Sequence, residues 1–141
     1  NALTLVFSPG GDVETTVGSS VMLGVMANQA NDLMTADPIR IRYNPQLLRL
    51  NDIIAGDLLT RDGAAVNISK DIRNEAGEAT VTLSRSSAGT GASGTGTLCT
   101  LVFQAVGKGA APVTVENASL TDSKQQAIRV NPGTRAGVRV Q

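Results

Sequence analysis

The sequence predicts an all-β protein, specifically a nine-stranded antiparallel β-sandwich. Apolar and polar residues alternate with period two in most segments, whereas helical periodicity is nearly absent. Turn-forming residues separate these segments at regular spacing. The chain has 141 residues, 41% of them apolar, which is enough to form one buried core. We therefore expect a single domain over residues 1–141.

The first half of the chain contains four alternating segments, at residues 3–7, 21–27, 39–43 and 48–54. The clearest is the third, in which Ile39, Ile41 and Tyr43 alternate with Arg40 and Arg42. Such a pattern is typical of a strand with one buried and one solvated face. A loop with one helical turn is predicted after the fourth segment, at residues 56–63.

The second half contains further strand patterns, at residues 66–72, 79–84, 97–106, 113–120, 128–130 and 138–140. The first of these is weak, and its alternation slips near Asp71, which predicts a bulge. Asn74 to Gly77 predicts a hairpin turn. The Gly- and Ser-rich stretch Ser86 to Gly96 predicts a loop. Leu98 to Val106 is apolar on both sides and is expected to be a central strand.

Composition excludes several classes of function. The chain has no histidine, so the usual general base of nucleophilic enzymes is missing. Twelve basic residues balance twelve acidic ones, which does not indicate a nucleic-acid-binding surface. We predict a domain that is not an enzyme, has no catalytic residue, no cofactor and no metal, and does not bind nucleic acid.

Two motifs have simpler explanations than ligand binding. Gly89, Gly91 and Gly94 satisfy G-x-G-x-x-G, but a strand follows where dinucleotide binding needs a helix. Two clusters of oxygen-bearing side chains raise the question of calcium. They are Asn28, Asn31, Asp32 and Asp37 in one expected loop, and Asp71, Asn74, Glu75 and Glu78 around the hairpin. We interpret both as ordinary turns.

The single cysteine and the ends of the chain add little about function. Cys99 lies in an apolar run and is expected to be a buried small hydrophobe. No stretch approaches the ~18 apolar residues of a membrane helix, so direct membrane insertion is not expected. The sequence begins at Asn1 without a signal-like segment, and we expect it to be part of a longer chain.

One group of polar residues indicates a binding surface. Arg40 and Arg42 should project from the same side of one strand. Thr80 and Thr82 should project from a second strand, and Asn67 and Ser69 from a third. If these strands are neighbours, the six side chains form one flat polar face. Arginine is enriched in protein interfaces, which favours a partner-binding face, whereas the alternative is a face that water alone covers.

The amino-acid sequences of four segments resemble those of the cohesin family. Residues 36–59 read ADPIRIRYNPQLLRLNDIIAGDLL, similar to the cohesin pattern of strand, Tyr-Asn-Pro, Leu-x-Leu and Gly-Asp-Leu-Leu. GEATV at 77–81, GTGTL at 94–98 and ASLTDS at 118–123 resemble later cohesin elements in the same order. The resemblance implies a nine-stranded jelly-roll sandwich. It also implies that the domain binds a partner through one flat sheet face comprising Arg40, Arg42, Asn67, Ser69, Thr80 and Thr82.

The same resemblance implies a partner and a location. The best-known cohesins hold dockerin modules, so a dockerin-like module or another envelope or secreted protein is the expected partner. The stretches at 43–63 and 96–109 resemble cohesin-like modules of bacterial type II secretion secretins. We therefore expect the cell envelope or the extracellular space as the location.

Two alternative functions stay open at this point. The first is a carbohydrate-binding module, because that superfamily shares the fold. Phe7, Tyr43 and Phe103 are the only aromatic residues, however, and sugar stacking usually needs exposed aromatic rings. The second alternative is a structural spacer in a secretion assembly, which predicts no separable ligand.

Overall fold

The computed structural model describes residues 3–8, 12–59, 65–86, 92–128, 130–131 and 135–141. These residues form eleven strand segments and confirm the all-β prediction. The segments are β1 (Leu3–Ser8), β2 (Asp12–Thr15), β3 (Ser20–Arg42), β4 (Leu48–Ala55), β5 (Ala65–Arg73), β6 (Glu78–Ser86), β7 (Ala92–Ala105), β8 (Gly109–Asp122), β9 (Ala127–Ile128), β10 (Val130–Asn131) and β11 (Arg135–Val140). Apart from β9 and β10, which have two residues each, nine segments of at least four residues remain.

The long strand β3 joins the two layers of the sandwich. Its N-terminal part pairs with β1 on one side and with β7 on the other, and β4 continues that layer beyond β7. Its C-terminal part pairs with β6 and β8, and β5 continues the second layer beyond β6. The register shifts between residues 27 and 39, where β-bulges bend a strand and increase its twist. The chain therefore passes from one layer to the other without a loop.

The core lies between the layers and is built from the inward side chains of both. Leu23 and Leu101 come from the first layer, and Ile41 and Val81 come from the second, all fully buried. Phe103 packs edge-on against Tyr43, with ring centroids 5.2 Å apart. Burying a large apolar side chain contributes about 1.5–3 kcal/mol, so this alternating set drives the sandwich to form.

Two of the strand pairings among the described residues are parallel, which the antiparallel prediction did not include. β1 pairs with β10, and β2 pairs with β11. Both join the beginning of the chain to its end. Alternation along a strand is the same for either direction of its neighbour, and so it could not reveal these parallel pairs.

Three local predictions were wrong. Asn28 to Asp37 lies within β3, not in a loop, and Asp32 takes a left-handed conformation with φ of 59°. The strand β7 begins at Ala92, so the predicted loop ends earlier than Gly96. No bulge occurs near Asp71, because β5 and β6 pair in unbroken register from residue 65 to 73. Gly89, Gly91 and residues 60–63 of the predicted loop lie outside the described residues.

Lys70 ties the exposed edges of the two layers together. In the unbroken register of β5, its side chain points away from Ser69 and Asp71 and towards β4. Its Nζ donates to Asp52 Oδ1 and, at 3.1 Å, to the carbonyl oxygen of Ile53. The hydrogen bond from Lys70 is the main cause that lowers the pKa of Asp52. A lysine at this position also discourages pairing of the β4 edge with another chain.

Asn74 fastens the β5–β6 hairpin to β4. Its Oδ1 accepts hydrogen bonds from the Tyr43 hydroxyl at 2.6 Å and from the Leu50 amide at 2.8 Å. Its Nδ2 donates to the Leu50 carbonyl at 3.1 Å. One side chain thus satisfies both backbone groups of Leu50, as a neighbouring strand would.

Replacing Asn74 by alanine is expected to lower the free energy of unfolding by about 3 kcal/mol, because three partly buried polar groups lose their partner. Urea denaturation measures the change. Asn44→Ala is the matched control. Among the described residues the Asn44 side chain accepts one hydrogen bond, from the exposed amide of Gln46, so this substitution should cost about 1 kcal/mol or less. Equal losses in both variants would show that the contacts of Asn74 contribute nothing special.

The phenol of Tyr43 is expected to titrate only at very alkaline pH. Burial is the main cause that raises its pKa to about 12, and the nearby Glu75 carboxylate adds to the effect. The folded state therefore prefers the protonated phenol. This contribution to stability is complete below about pH 10, where an unfolded tyrosine titrates, and it is lost as the pH rises to about 12.

Tyrosinate absorbance measures this pKa directly, because Tyr43 is the only tyrosine in the chain. The midpoint should lie near 12 in the folded protein and near 10 in urea. The Tyr43→Phe variant should lose less stability across the same interval. A folded midpoint near 10 would contradict the buried position of the phenol.

Candidate partner-binding face

The second layer turns one flat sheet face towards solvent, in the strand order β5–β6–β3–β8. The inward positions of β3 and β6, such as Ile39, Ile41 and Val81, are fully buried. The outward positions alternate with them and carry polar side chains. We call this surface the polar face. It comprises Arg40, Arg42, Asn67, Ser69, Asp71, Arg73, Glu78, Thr80, Thr82, Ser84 and Glu116.

The six predicted binding residues all lie on this face. Arg40 pairs directly with Thr80 across the β3–β6 ladder. Thr82 pairs with Ser69 across the β6–β5 ladder, and Asn67 lies one pleat further along β5. The expectation that three polar strands would be neighbours is therefore confirmed as a matter of geometry.

Sequence reasoning missed the acidic members of the face. Arg40 Nε lies 3.6 Å from Glu78, and Arg42 Nε lies 3.3 Å from Glu116. On β5, Arg73 Nε lies 3.2 Å from Asp71. Glu78 lies two residues before Thr80 on the same side of β6, so alternation alone could have predicted its place on the polar face. Asp71 was hidden because a bulge was expected there, and Glu116 depends on a pairing of β8 that alternation does not reveal.

A shallow depression of about 310 Å³ lies in the middle of the face. It is lined by Arg40, Ser69, Asp71, Arg73, Glu78, Thr80 and Thr82. Four of these side chains are charged and three carry hydroxyl groups. This surface can exchange many hydrogen bonds with a partner but offers little apolar area.

All three aromatic side chains of the protein are buried. Phe103 is fully buried, and Phe7 and Tyr43 are 5% and 6% exposed. None of them can present a ring to a sugar on the surface. The carbohydrate-binding alternative therefore receives no support from the polar face.

Four of the calcium candidates are engaged in other contacts. Asp71 and Glu78 form ion pairs with arginines, and Asn74 holds Leu50. Asp32 accepts a hydrogen bond of 2.6 Å from the Ser123 hydroxyl. Within the described ranges, no group of three or more histidine, cysteine, aspartate or glutamate side chains is placed to hold a metal.

The single cysteine, Cys99, is buried. Burial raises the pKa of the Cys99 thiol to about 12, so the thiol stays protonated at neutral pH.

In the part of the chain that the structure describes, we find no helix with the length and hydrophobicity to cross a membrane.

Two packed β-layers with one flat, polar sheet face turned to solvent place the chain among the β-sandwich modules. A scan against family models agrees: the model described as cohesin domain matches residues 8–140. The chain therefore belongs to the cohesin family, whose members are non-catalytic modules for protein–protein interaction.

Solved structures with the same fold come from several cohesins. A non-cellulosomal cohesin from Archaeoglobus fulgidus is 16% identical with a TM-score of 0.80, covering 100% of this chain and 92% of that one. The cohesin in the Coh-OlpA–Doc918 complex of Clostridium thermocellum is 16% identical with a TM-score of 0.77 and full coverage of both chains. The sixth cohesin of Acetivibrio cellulolyticus scaffoldin B, solved with a Cel5 dockerin mutant, is 20% identical with a TM-score of 0.76 and full coverage of both. A search of curated proteins found no match.

Proposed function

We propose that this domain is a docking module that binds a dockerin-type protein module through the polar face. The observation that carries the proposal is the position of Arg40 and Arg42 at the centre of an open four-stranded face. Related cohesins have been solved in complex with dockerins, and they share the fold over the whole chain. The proposed partner-binding residues are Arg40, Arg42, Asn67, Ser69, Thr80 and Thr82.

The physical support is preorganisation. The face is built on strands that are hydrogen-bonded on both sides, except for the edge strand β5, so its backbone is held in place before a partner binds. Binding then costs little ordering of the backbone. Arginine supplies several donors in a planar fork and is enriched where interfaces are energetically important.

The proposal extends to the location and the parent protein. A dockerin-type partner places the domain in the cell envelope or outside the cell. The wording at residues 43–63 and 96–109 supports a parent related to type II secretion secretins. The sequence of the full gene tests this point, because a secretin barrel in the same reading frame is expected, and its absence would exclude that parent.

Binding to purified dockerins tests the function. The immobilised domain is presented with the dockerin modules encoded in its source genome, together with the Clostridium Doc918 and Acetivibrio Cel5 dockerins, and binding is followed by biolayer interferometry. At least one of them is expected to bind with a Kd of about 1 µM or tighter. A panel without any binder would overturn dockerin docking and favour a structural spacer.

A further inference from the structure

Three charges of alternating sign lie in register across the polar face, and a fourth contacts the last of them. Arg73 pairs directly with Glu78, and Glu78 pairs directly with Arg42. On the far side of Arg42, Thr114 of β8 is the ladder partner, and Glu116 lies at the register shift beside it, with its carboxylate 3.3 Å from Arg42 Nε. Adjacent strands lie about 4.8 Å apart, so the first three charges span about 10 Å, and with Glu116 the order reads plus, minus, plus, minus. We call these four residues the charge row.

The members of the charge row remain available to a partner. Arg42 and Arg73 each contact an acid through Nε, at 3.3 and 3.2 Å, and a guanidinium carries four further N–H donors on its two Nη atoms. Their side chains are 49% and 64% exposed, and that of Glu116 is 46% exposed. The internal contacts therefore orient the arginines, while about half or more of each arginine side chain stays exposed to solvent.

The balance of charge excludes a partner of one sign. The three arginines of the polar face are matched by Asp71, Glu78 and Glu116. A uniformly acidic partner would place carboxylates against these acids, and a uniformly basic partner would meet the arginines. Juxtaposed like charges cost free energy and oppose association, which is how interfaces reject wrong partners.

We infer that the charge row selects a protein partner whose own surface carries acidic and basic side chains in alternation. Each charge of the row then meets an opposite charge. This inference rests on the proposed function, because it specifies the chemistry of the partner of the same face. It adds that the order of the charges, and not their sum, determines which partner binds.

An exchange of charges inside the row separates recognition from structure. The double variant Arg42→Glu/Glu116→Arg keeps the net charge and can rebuild the internal ion pair in the opposite direction. If the pair is only structural, the double variant should restore whatever the single variants Arg42→Glu and Glu116→Arg lose. If the partner recognises the order of the charges, the double variant should fold like the native domain and still bind the partner poorly.

The experiment uses the tightest-binding dockerin of the panel as its probe. We expect the exchange to weaken binding at least about tenfold, while thermal unfolding stays close to that of the native domain. The control exchange Glu14→Lys/Lys108→Glu also reverses two exposed charges at constant net charge, but outside the polar face. It should change the Kd less than about twofold.

Each outcome decides a different point. Native-like binding by the Arg42→Glu/Glu116→Arg variant would overturn the inference and leave the proposed function intact. Equal losses in the exchange and in its control would also overturn it, because the effect would not belong to the row. A panel without a binder overturns the proposed function, and the inference falls with it.

Discussion

Replacing Arg40 and Arg42 together by glutamate is expected to weaken dockerin binding by roughly a hundredfold or more, equivalent to about 3 kcal/mol. Both guanidinium groups lie at the centre of the polar face, where interface residues contribute most. The reversal also places two new carboxylates beside Glu78 and Glu116, so acidic side chains outnumber basic ones at the centre of the face. Isothermal titration calorimetry with the tightest-binding dockerin measures the loss.

Folding should be preserved in this variant. The two ion pairs that it removes are about half exposed on the arginine side, and such surface pairs contribute about 0–1 kcal/mol each. The control is Arg49→Glu/Arg139→Glu, which changes the net charge equally at two exposed positions of β4 and β11. If the control lost as much affinity as the variant, net charge would be responsible, and the polar face would not be the binding site.

Replacing Gly77 by alanine is expected to destabilise the domain by about 4 kcal/mol, the largest effect on stability among the substitutions considered. Gly77 is the last residue of the turn between β5 and β6. Its φ of 68° is strained for any residue with a Cβ atom. That Cβ would also lie 2.3 Å from the carbonyl oxygen of Tyr43 and 2.7 Å from Pro45 Cδ. The backbone that follows β3, at Tyr43 and Pro45, or the turn at Gly77 would have to move.

Alanine substitutions at two other glycines distinguish the effect of backbone strain from that of steric overlap. Gly18 has φ of 93°, and a Cβ added there would meet nothing within 4 Å, so Gly18→Ala should cost about 1 kcal/mol from strain alone. At Gly56 a Cβ would lie 2.2 Å from the Thr97 carbonyl oxygen without positive φ, and overlap alone should cost about 2 kcal/mol. Urea denaturation of the three variants gives the comparison. A Gly77 variant no less stable than the Gly18 variant would contradict the close approach to Tyr43.

The alternation of β3 and β6 could be predicted from the sequence because the side-chain period of a strand is two. Ile39 and Ile41 had to face the core, so Arg40 and Arg42 had to face outwards, whatever strands lay beside them. The same argument placed Thr80 and Thr82. The six candidate residues were thus identified before their neighbours were known.

The segment from Asn28 to Asp37 does not adopt the structure that its local sequence predicts. Asparagine and aspartate favour turns in isolation, and the local pattern predicted a loop. In the fold, the backbone of this part of β3 pairs with β7 and then with β6 and β8. Hydrogen bonds from distant strands outweigh the local preference, as tertiary context commonly does in β-sheets.

Local side-chain patterning was sufficient to predict the all-β class, the inward and outward sides of the main strands, and the polar character of one face. Which strands are neighbours is visible only in the folded protein, and with it the positions of Glu78 and Glu116 beside Arg42 and the contact of Asn74 with Leu50. The physical reason is that side-chain alternation depends on a few consecutive residues. Register, strand direction and bulges depend on contacts between residues far apart in the chain, and they set the order of the charges on the face.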